Sequence, residues 1–319
     1  MTKRIQAFSL TDTGRTRKNN QDACAVFKKN ENLLMVVADG VGGNRCGEVA
    51  SRIAVKTMQQ KFERAHDISP RTFLIEGTEE ANQKVRAYVE AHPECKGMAT
   101  TLVAAFIQYP HLHLLHVGDS RGYLLRGGTL KRLTEDHTLV QGMVREGVLT
   151  PEEAKVHPKR HVIVNALGIS DTQRYDYASY NLMPGDQILL CSDGLYDELS
   201  DESIGGILLG HAPKQAIQRL VNAANAAGGR DNISITLAVL EPASLEDTRR
   251  LGPAGKSLAT PHPFAKWLVI ALCTGVFLAG AWAFFQTPRG HKARLYISSL
   301  LSREGTGRQA AESAHRQNP

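Results

Sequence analysis

Residues 33–51 read LLMVVADGVGGNRCGEVAS. The apolar run at 33–38 is too short for an ordinary helix and stops on Asp39-Gly40, which describes a strand buried on one or both faces. The pattern returns twice: LHLLHVG at 112–118 runs into Asp119-Ser120, and QILLCS at 187–192 into Asp193-Gly194. A fourth aspartate, Asp231 in GGRDN, comes just before the run ISITLAVL at 233–240, and TLVAAFI at 101–107 reads as a further strand. Helical candidates occupy Gly47–Phe62, roughly 70–90, and Pro213–Ala227. In the last, Pro213 suits a first turn, and Ala216, Leu220, Ala223 and Ala224 share a face. Helices come in blocks rather than after each strand, so a layered α+β fold is expected and a doubly wound parallel sheet is not.

An aspartate beside a buried strand does not stay ionised cheaply unless it is paired, hydrogen-bonded or on a metal. Several carboxylates brought to one sheet edge repel each other, and a hard cation relieves that repulsion. With oxygen ligands and no Cys/His spacing, Mg²⁺ or Mn²⁺ is the expected ion. The glycines are expected to supply turns with positive φ and to open the neighbouring carbonyls. A single Asp-Gly pair is ordinarily a turn former; the repeated arrangement points to a metal centre built by Asp39, Asp193 and Asp231.

Of 319 residues, 42% are hydrophobic and 22% charged, which is normal for a globular chain. The net charge of +6 is unevenly placed: residues 1–240 hold 28 Lys+Arg against 27 Asp+Glu, and residues 241–319 hold 10 against 5. The nearly neutral globular part, without a basic stripe interleaved with aromatics, argues against nucleic acid as a partner. Cys24, Cys46, Cys95, Cys191 and Cys273 never form CxxC pairs, and their spacing suggests neither zinc nor a disulfide framework. Cys191 reads as a buried filler, and a reducing compartment is expected.

Residues 1–240 are read as the globular domain that carries the metal centre and 241–266, with Pro242, Pro253 and Pro261, as an irregular linker. Residues 267–285, WLVIALCTGVFLAGAWAFF, carry no charge. As a helix they rise about 28 Å, close to the ~30 Å of a bilayer core, with Trp267 and Trp282 near the ends. A single transmembrane helix is expected there, followed by a short basic polar tail at 286–319. Flanking charges tie, with Arg249, Arg250, Lys256 and Lys266 before the run and Arg289, Lys292, Arg294 and Arg303 after it. The N-terminus, MTKRIQAFSLTDTG, offers no signal-peptide core. Together with the cysteines, this places the expected domain on the cytoplasmic face of an inner or plasma membrane.

The ordered segments TDTGRTRKNNQD (11–22), VVADGVGGNRCGEVAS (36–51), GMATTLVAA (97–105), HVGDSRGYLLR (116–126), LTEDHT (133–138), CSDGLYDELSDESI (191–204) and GGRDNISITL (228–237) resemble the bacterial-type, metal-dependent serine/threonine protein phosphatases of type 2C. The resemblance covers about residues 8–240. It implies a four-layer α-β-β-α sandwich with two central antiparallel sheets and a site at one edge. It implies two Mn²⁺ or Mg²⁺ ions, with Asp39 bridging them, the Gly40 carbonyl as a further ligand, and Asp193 and Asp231 on the first. Asp119, sharing Asp193, is implied to hold a third, weaker ion, and Arg17 the substrate phosphate. Gln21, Asp22, Gly118, Ser120, Gly194 and Asn232 take supporting places.

The implied reaction is hydrolysis of phosphoserine and phosphothreonine in proteins by a metal-bridging water, opposing a serine/threonine kinase. The chain departs from the pattern at Gln21, where many members carry glutamate, and at Val41, where some carry histidine. Gln21 keeps an acceptor oxygen and loses a charge at the second metal. His137 is not a safe replacement for the missing histidine as general acid. Residues 136–165 resemble the family's variable flap, with His137, Gly142, Met143 and Glu146 as its candidate residues and a helix start at Thr150-Pro151. Gln21 leaves open the alternative of a catalytically weak, phosphoprotein-binding scaffold. Hydrolysis of a phosphorylated metabolite would use the same centre.

Overall fold

A computed structural model describes residues 5–41, 46–65 and 69–241. The linker beyond Glu241, the apolar run at 267–285 and the tail lie outside them, and no helix among the described residues is long and apolar enough to cross a membrane.

The chain begins with strands β1 (Ile5–Asp12), β2 (Asp22–Lys29) and β3 (Asn32–Val41), then helices α1 (Gly47–Arg64) and α2 (Pro70–Ala91). Strands β4 (Ala99–Thr100), β5 (Leu102–Gln108), β6 (His111–Val117), β7 (Arg121–Arg126) and β8 (Thr129–Arg132) follow. Two short helices, α3 (Leu139–Arg145) and α4 (Pro151–Val156), precede β9 (Asp176–Asn181) and β10 (Gln187–Cys191). The domain closes with α5 (Asp193–Tyr196), α6 (Asp201–Gly210), α7 (Pro213–Ala227) and β11 (Ile233–Leu240).

One sheet runs β1-β11-β10-β7-β8 and the other β2-β3-β5-β6-β9, with β4 on the end of β3; every pairing is antiparallel. The unbroken apolar run at 33–38 serves two cores, because strand side chains alternate. Leu34, Val36 and Ala38 pack under α1 and α2 with Met58, Phe73 and Leu74. Leu33, Met35 and Val37 meet Ile188, Leu190 and Ala238 of the other sheet. On that sheet's outer face Leu189, Ile235 and Leu237 pack on Leu220, Val221 and Ala224 of α7. Each aliphatic side chain so buried contributes about 1.5–3 kcal/mol. These three apolar interfaces make the layers α-β-β-α, and the mixed fold with two antiparallel sheets agrees with the sequence reading.

The cysteine reading needs correction. Cys46 and Cys95, 49 residues apart, are joined by a disulfide, while Cys24 and Cys191 are free. Local spacing misses the bond because tertiary structure makes it. Cys46 is the residue before α1, Cys95 ends the 3-10 turn before β4, and the ladder of β3 with β4 draws the two segments together. Cys191 is a fully buried filler, as expected. Reduction of the full chain, or Cys95→Ser, should expose thiols that the oxidised protein lacks and lower stability by about 2–4 kcal/mol, read by thiol titration and thermal unfolding. An unchanged thiol count on reduction would contradict the bond.

Candidate metal centre

The two sheets bring the aspartates together at one edge. Asp39 lies inside β3 and faces Asp22 of β2 directly across the ladder. Its backbone is fixed by the junction of β4 and β5: its N–H donates to Thr101 Oγ1 at 2.9 Å, and its carbonyl accepts from Thr100 Oγ1 at 2.8 Å and from the Thr101 N–H at 2.9 Å. Thr101 Oγ1 in turn meets Ser120 Oγ at 2.7 Å, tying Asp39 to the Asp119 turn. Asp193 is the first residue of α5, and Asp119 has its carbonyl held by the Tyr196 hydroxyl at 2.9 Å. Asp231 accepts from Arg17 Nη2 at 2.6 Å and from the Asn232 N–H at 2.8 Å.

Asn232 acts as the clasp for the N-terminal segment. Its Oδ1 accepts from the Gln21 N–H at 2.8 Å, and its Nδ2 donates to the Thr13 and Asn19 carbonyls at 2.8 and 3.0 Å. The Gly229 carbonyl adds bonds from the Arg15 and Thr16 N–H groups. Arg17 is thereby carried to Asp231, 214 residues away in sequence.

The role expected of the glycines changes. Gly118 does adopt a positive φ, +98°. Gly40 and Gly194 do not; they are required by close approach. A Cβ at Gly40 would sit 2.3 Å from the Gly47 carbonyl oxygen, and one at Gly194 only 2.1 Å from that of Asn232. Asp39-Gly40 is therefore strand rather than turn.

Burial and crowding push these carboxylates toward the protonated form. Burial, then repulsion from Asp22, Asp193, Asp119 and Asp231, holds Asp39 well above the usual carboxylate range. Asp193 is raised in the same way by burial and by Asp119 and Asp231. Burial lifts Asp22 to about 6, against the hydrogen bond it accepts from Ser192 Oγ at 2.7 Å, and lifts Asp119 to about 7. Asp119 Oδ1 and Asp193 Oδ1 are buried and accept no hydrogen bond. Buried anionic oxygens left over in this way fit hard divalent cations.

Of the remaining expected residues, Gln21 lies beside Gly40 and Gly47, its carbonyl accepting from the Gly40 N–H at 3.1 Å. His137 stands behind the centre. The Gly118 N–H can only donate, so His137 Nδ1 accepts from it at 3.2 Å, and His137 Nε2 lies 3.4 Å from Asp176. Gly142, Met143 and Glu146 belong to the region of α3, and no hydrogen bond or ion pair among the described residues joins them to the aspartates. The imidazole that reaches the centre is His161, with Nδ1 3.4 Å from Asp197 and in one cluster with Asp193. Sequence reasoning passed over both. Asp197, four residues after Asp193 on a helical start, shares its face and was findable by that spacing; His161 depends on how the flap folds.

The family model for Protein phosphatase 2C matches residues 13–238. The chain belongs to that family. It is 36% identical over 241 residues to the serine/threonine phosphatase stp of Listeria welshimeri, covering 73% of this chain and 95% of that protein. Its fold matches the S. agalactiae serine/threonine phosphatase with a TM-score of 0.71 and 34% identity, over 75% of this chain and 100% of the other. A crystal structure of the catalytic domain of PstP in complex with two manganese ions matches with a TM-score of 0.67 and 35% identity, over 74% and 98%. The chain is accordingly a metal-dependent serine/threonine protein phosphatase using two Mn²⁺ or Mg²⁺ ions, and its substrates are phosphoproteins.

The sign of the carboxylate shifts sets a pH dependence. Folded values above the unfolded ones mean that protons stabilise the metal-free fold; this contribution is complete below about pH 4 and is lost as pH rises through about 6 to 7. Mn²⁺ competes with those protons. The rise in Tm on adding Mn²⁺ should therefore be larger at about pH 8 than at about pH 5.5. An equal rise at both would contradict the geometry.

Proposed function

We propose that Asp39, the Gly40 carbonyl, Asp193 and Asp231 hold the two ions, that Asp119 with Asp193 holds a third, weaker one, and that Arg17 receives the phosphoryl group of a phosphoserine or phosphothreonine side chain. The observation that carries this reading is the pair of buried, unpartnered oxygens on Asp119 and Asp193 in the same crowded set as Asp39. Bound cations supply positive charge at the phosphoryl oxygens and an acidified water as nucleophile.

The chain's own residues position and neutralise. Arg17 is half-exposed, pinned to Asp231, and its planar guanidinium can turn two donors to a phosphate where a lysine offers a point charge. Thr100, Thr101 and Ser120 hold the Asp39 backbone in register, and Ser192 steadies Asp22. His161, half-exposed, brings an imidazole beside Asp197 and Asp193.

We also place the domain at a membrane surface. The uncharged run at 267–285 supports a single-pass tether, and phosphoproteins arise from ATP-dependent kinases, which favours the cytoplasmic face and an opposing serine/threonine kinase as functional counterpart. A tether would concentrate the enzyme near membrane-associated substrates.

The full chain should release phosphate from a phosphothreonine peptide with Mn²⁺ and stop when EDTA is added. Asp39→Asn should lower kcat at least about 100-fold, whereas Arg17→Ala should mainly raise KM, by roughly 10- to 100-fold, as expected for a lost charge-assisted pair. Vigorous turnover in EDTA, or an Asp39→Asn enzyme of normal kcat, would refute the assignment.

A further inference from the structure

The flap carries a surface that the metal centre does not account for. Five of the seven exposed large hydrophobic side chains among the described residues lie between 148 and 169: Val148, Val156, Val162, Val164 and Ile169, the most exposed being Val156 at 78%. Helix α4 buries none of its own residues and is held by a capping box between Thr150 and Glu153. Helix α4 thus contributes no buried residue to a core, and the chain around it leaves aliphatic side chains in water.

This surface is continuous with the site. Residues 157–162 fold through two reverse turns, Arg160 N–H to His157 O and Val162 N–H to Lys159 O, which deliver His161 to Asp197. The strand-like pairing of Thr138 with Ile163 then sets Val162 and Val164 on one outward face. The segment KVHPKRH at 155–161 is basic, holding Lys155, Lys159 and Arg160, all exposed, and follows the exposed acids Glu152 and Glu153 at the start of α4. Across the aspartates, TGRTRKNN at 13–20 holds Arg15, Arg17 and Lys18, again exposed and without an acid. Basic chain thus borders the centre on two sides, with aliphatic side chains added on the flap side.

We infer that the flap segment 155–164 selects phosphoproteins whose chain beside the phosphorylated residue carries acidic and aliphatic side chains, acids meeting Lys159 and Arg160 and an aliphatic side chain meeting Val162 and Val164. This rests on the phosphatase reading and adds a substrate preference to it. Exposed charges separated by less than a Debye length steer and hold such a partner in a salt-dependent way.

The test compares kcat/KM of the full chain on two phosphothreonine peptides of equal length, one flanked by Asp, Glu and Leu, the other by Lys, Arg and Ser. The small aryl ester p-nitrophenyl phosphate reports on the centre alone. The acidic peptide should be preferred at least tenfold. That preference should shrink as salt is raised, and Lys159→Glu with Arg160→Glu should reverse it. Val162→Ser with Val164→Ser should raise KM for the acidic peptide more than for the basic one. Equal use of the two peptides by the unaltered enzyme, or a preference indifferent to salt and to the charge reversal, overturns the inference. No turnover of any of the three substrates would instead refute the phosphatase reading.

Discussion

Mutual repulsion among buried carboxylates is the constraint around which this domain is arranged. The antiparallel register of β2 and β3 sets Asp22 against Asp39, and the second sheet adds Asp119, Asp193 and Asp231 to the same edge. Packed at the edge of two apolar sheets, Asp22 and Asp119 are buried and Asp39, Asp193 and Asp231 half-buried, so solvent screens those charges only in part. The structure meets the repulsion with the Ser192 hydroxyl on Asp22, with Arg17 on Asp231 and with carboxylates raised toward the neutral form, while Thr100, Thr101 and Ser120 hold the Asp39 backbone in place. A divalent cation answers the same repulsion more completely, since it supplies charge and accepts the oxygens that nothing else satisfies.

That arrangement also explains why the first and last strands of the described domain meet. Strand β1 pairs with β11 along its whole length, and Asn232 fastens residues 13–21 just beyond it. Arg17, nominally in a polar N-terminal stretch, becomes part of the centre because a single amide side chain makes three bonds to the backbone that carries it. Gly40 and Gly194 serve the same compactness, since a methyl group at either would strike a neighbouring carbonyl.

Much of this was legible in the sequence. Five short apolar runs, three of them ending on aspartate, mark β3, β5, β6, β10 and β11, and α1, α2 and α7 are bounded within two residues or so, because long periodic faces and Pro or Gly punctuation are local signals. Edge strands β1, β2, β8 and β9 were not read, since their half-buried, mixed composition carries no clean period. The sequence groups Asp39, Asp119, Asp193, Asp231 and Arg17, which the structure brings to one edge, but gives no signal for Ser192, Thr101 or Tyr196. A hydroxyl that holds a backbone or a carboxylate looks like any other until the partner strand is beside it. The Cys46–Cys95 bond and the approach of His161 to Asp197 are invisible for the same reason: both are made by tertiary contact between distant segments.

The central claim, that crowded carboxylates exchange protons for cations, is tested most directly by calorimetric titration of the full chain with Mn²⁺ at about pH 7 in two buffers of different ionisation enthalpy. The account predicts about two well-resolved equivalents per chain with net proton release, seen as a binding heat that differs between the buffers. Binding heats identical in both buffers, or no saturable binding, would contradict it.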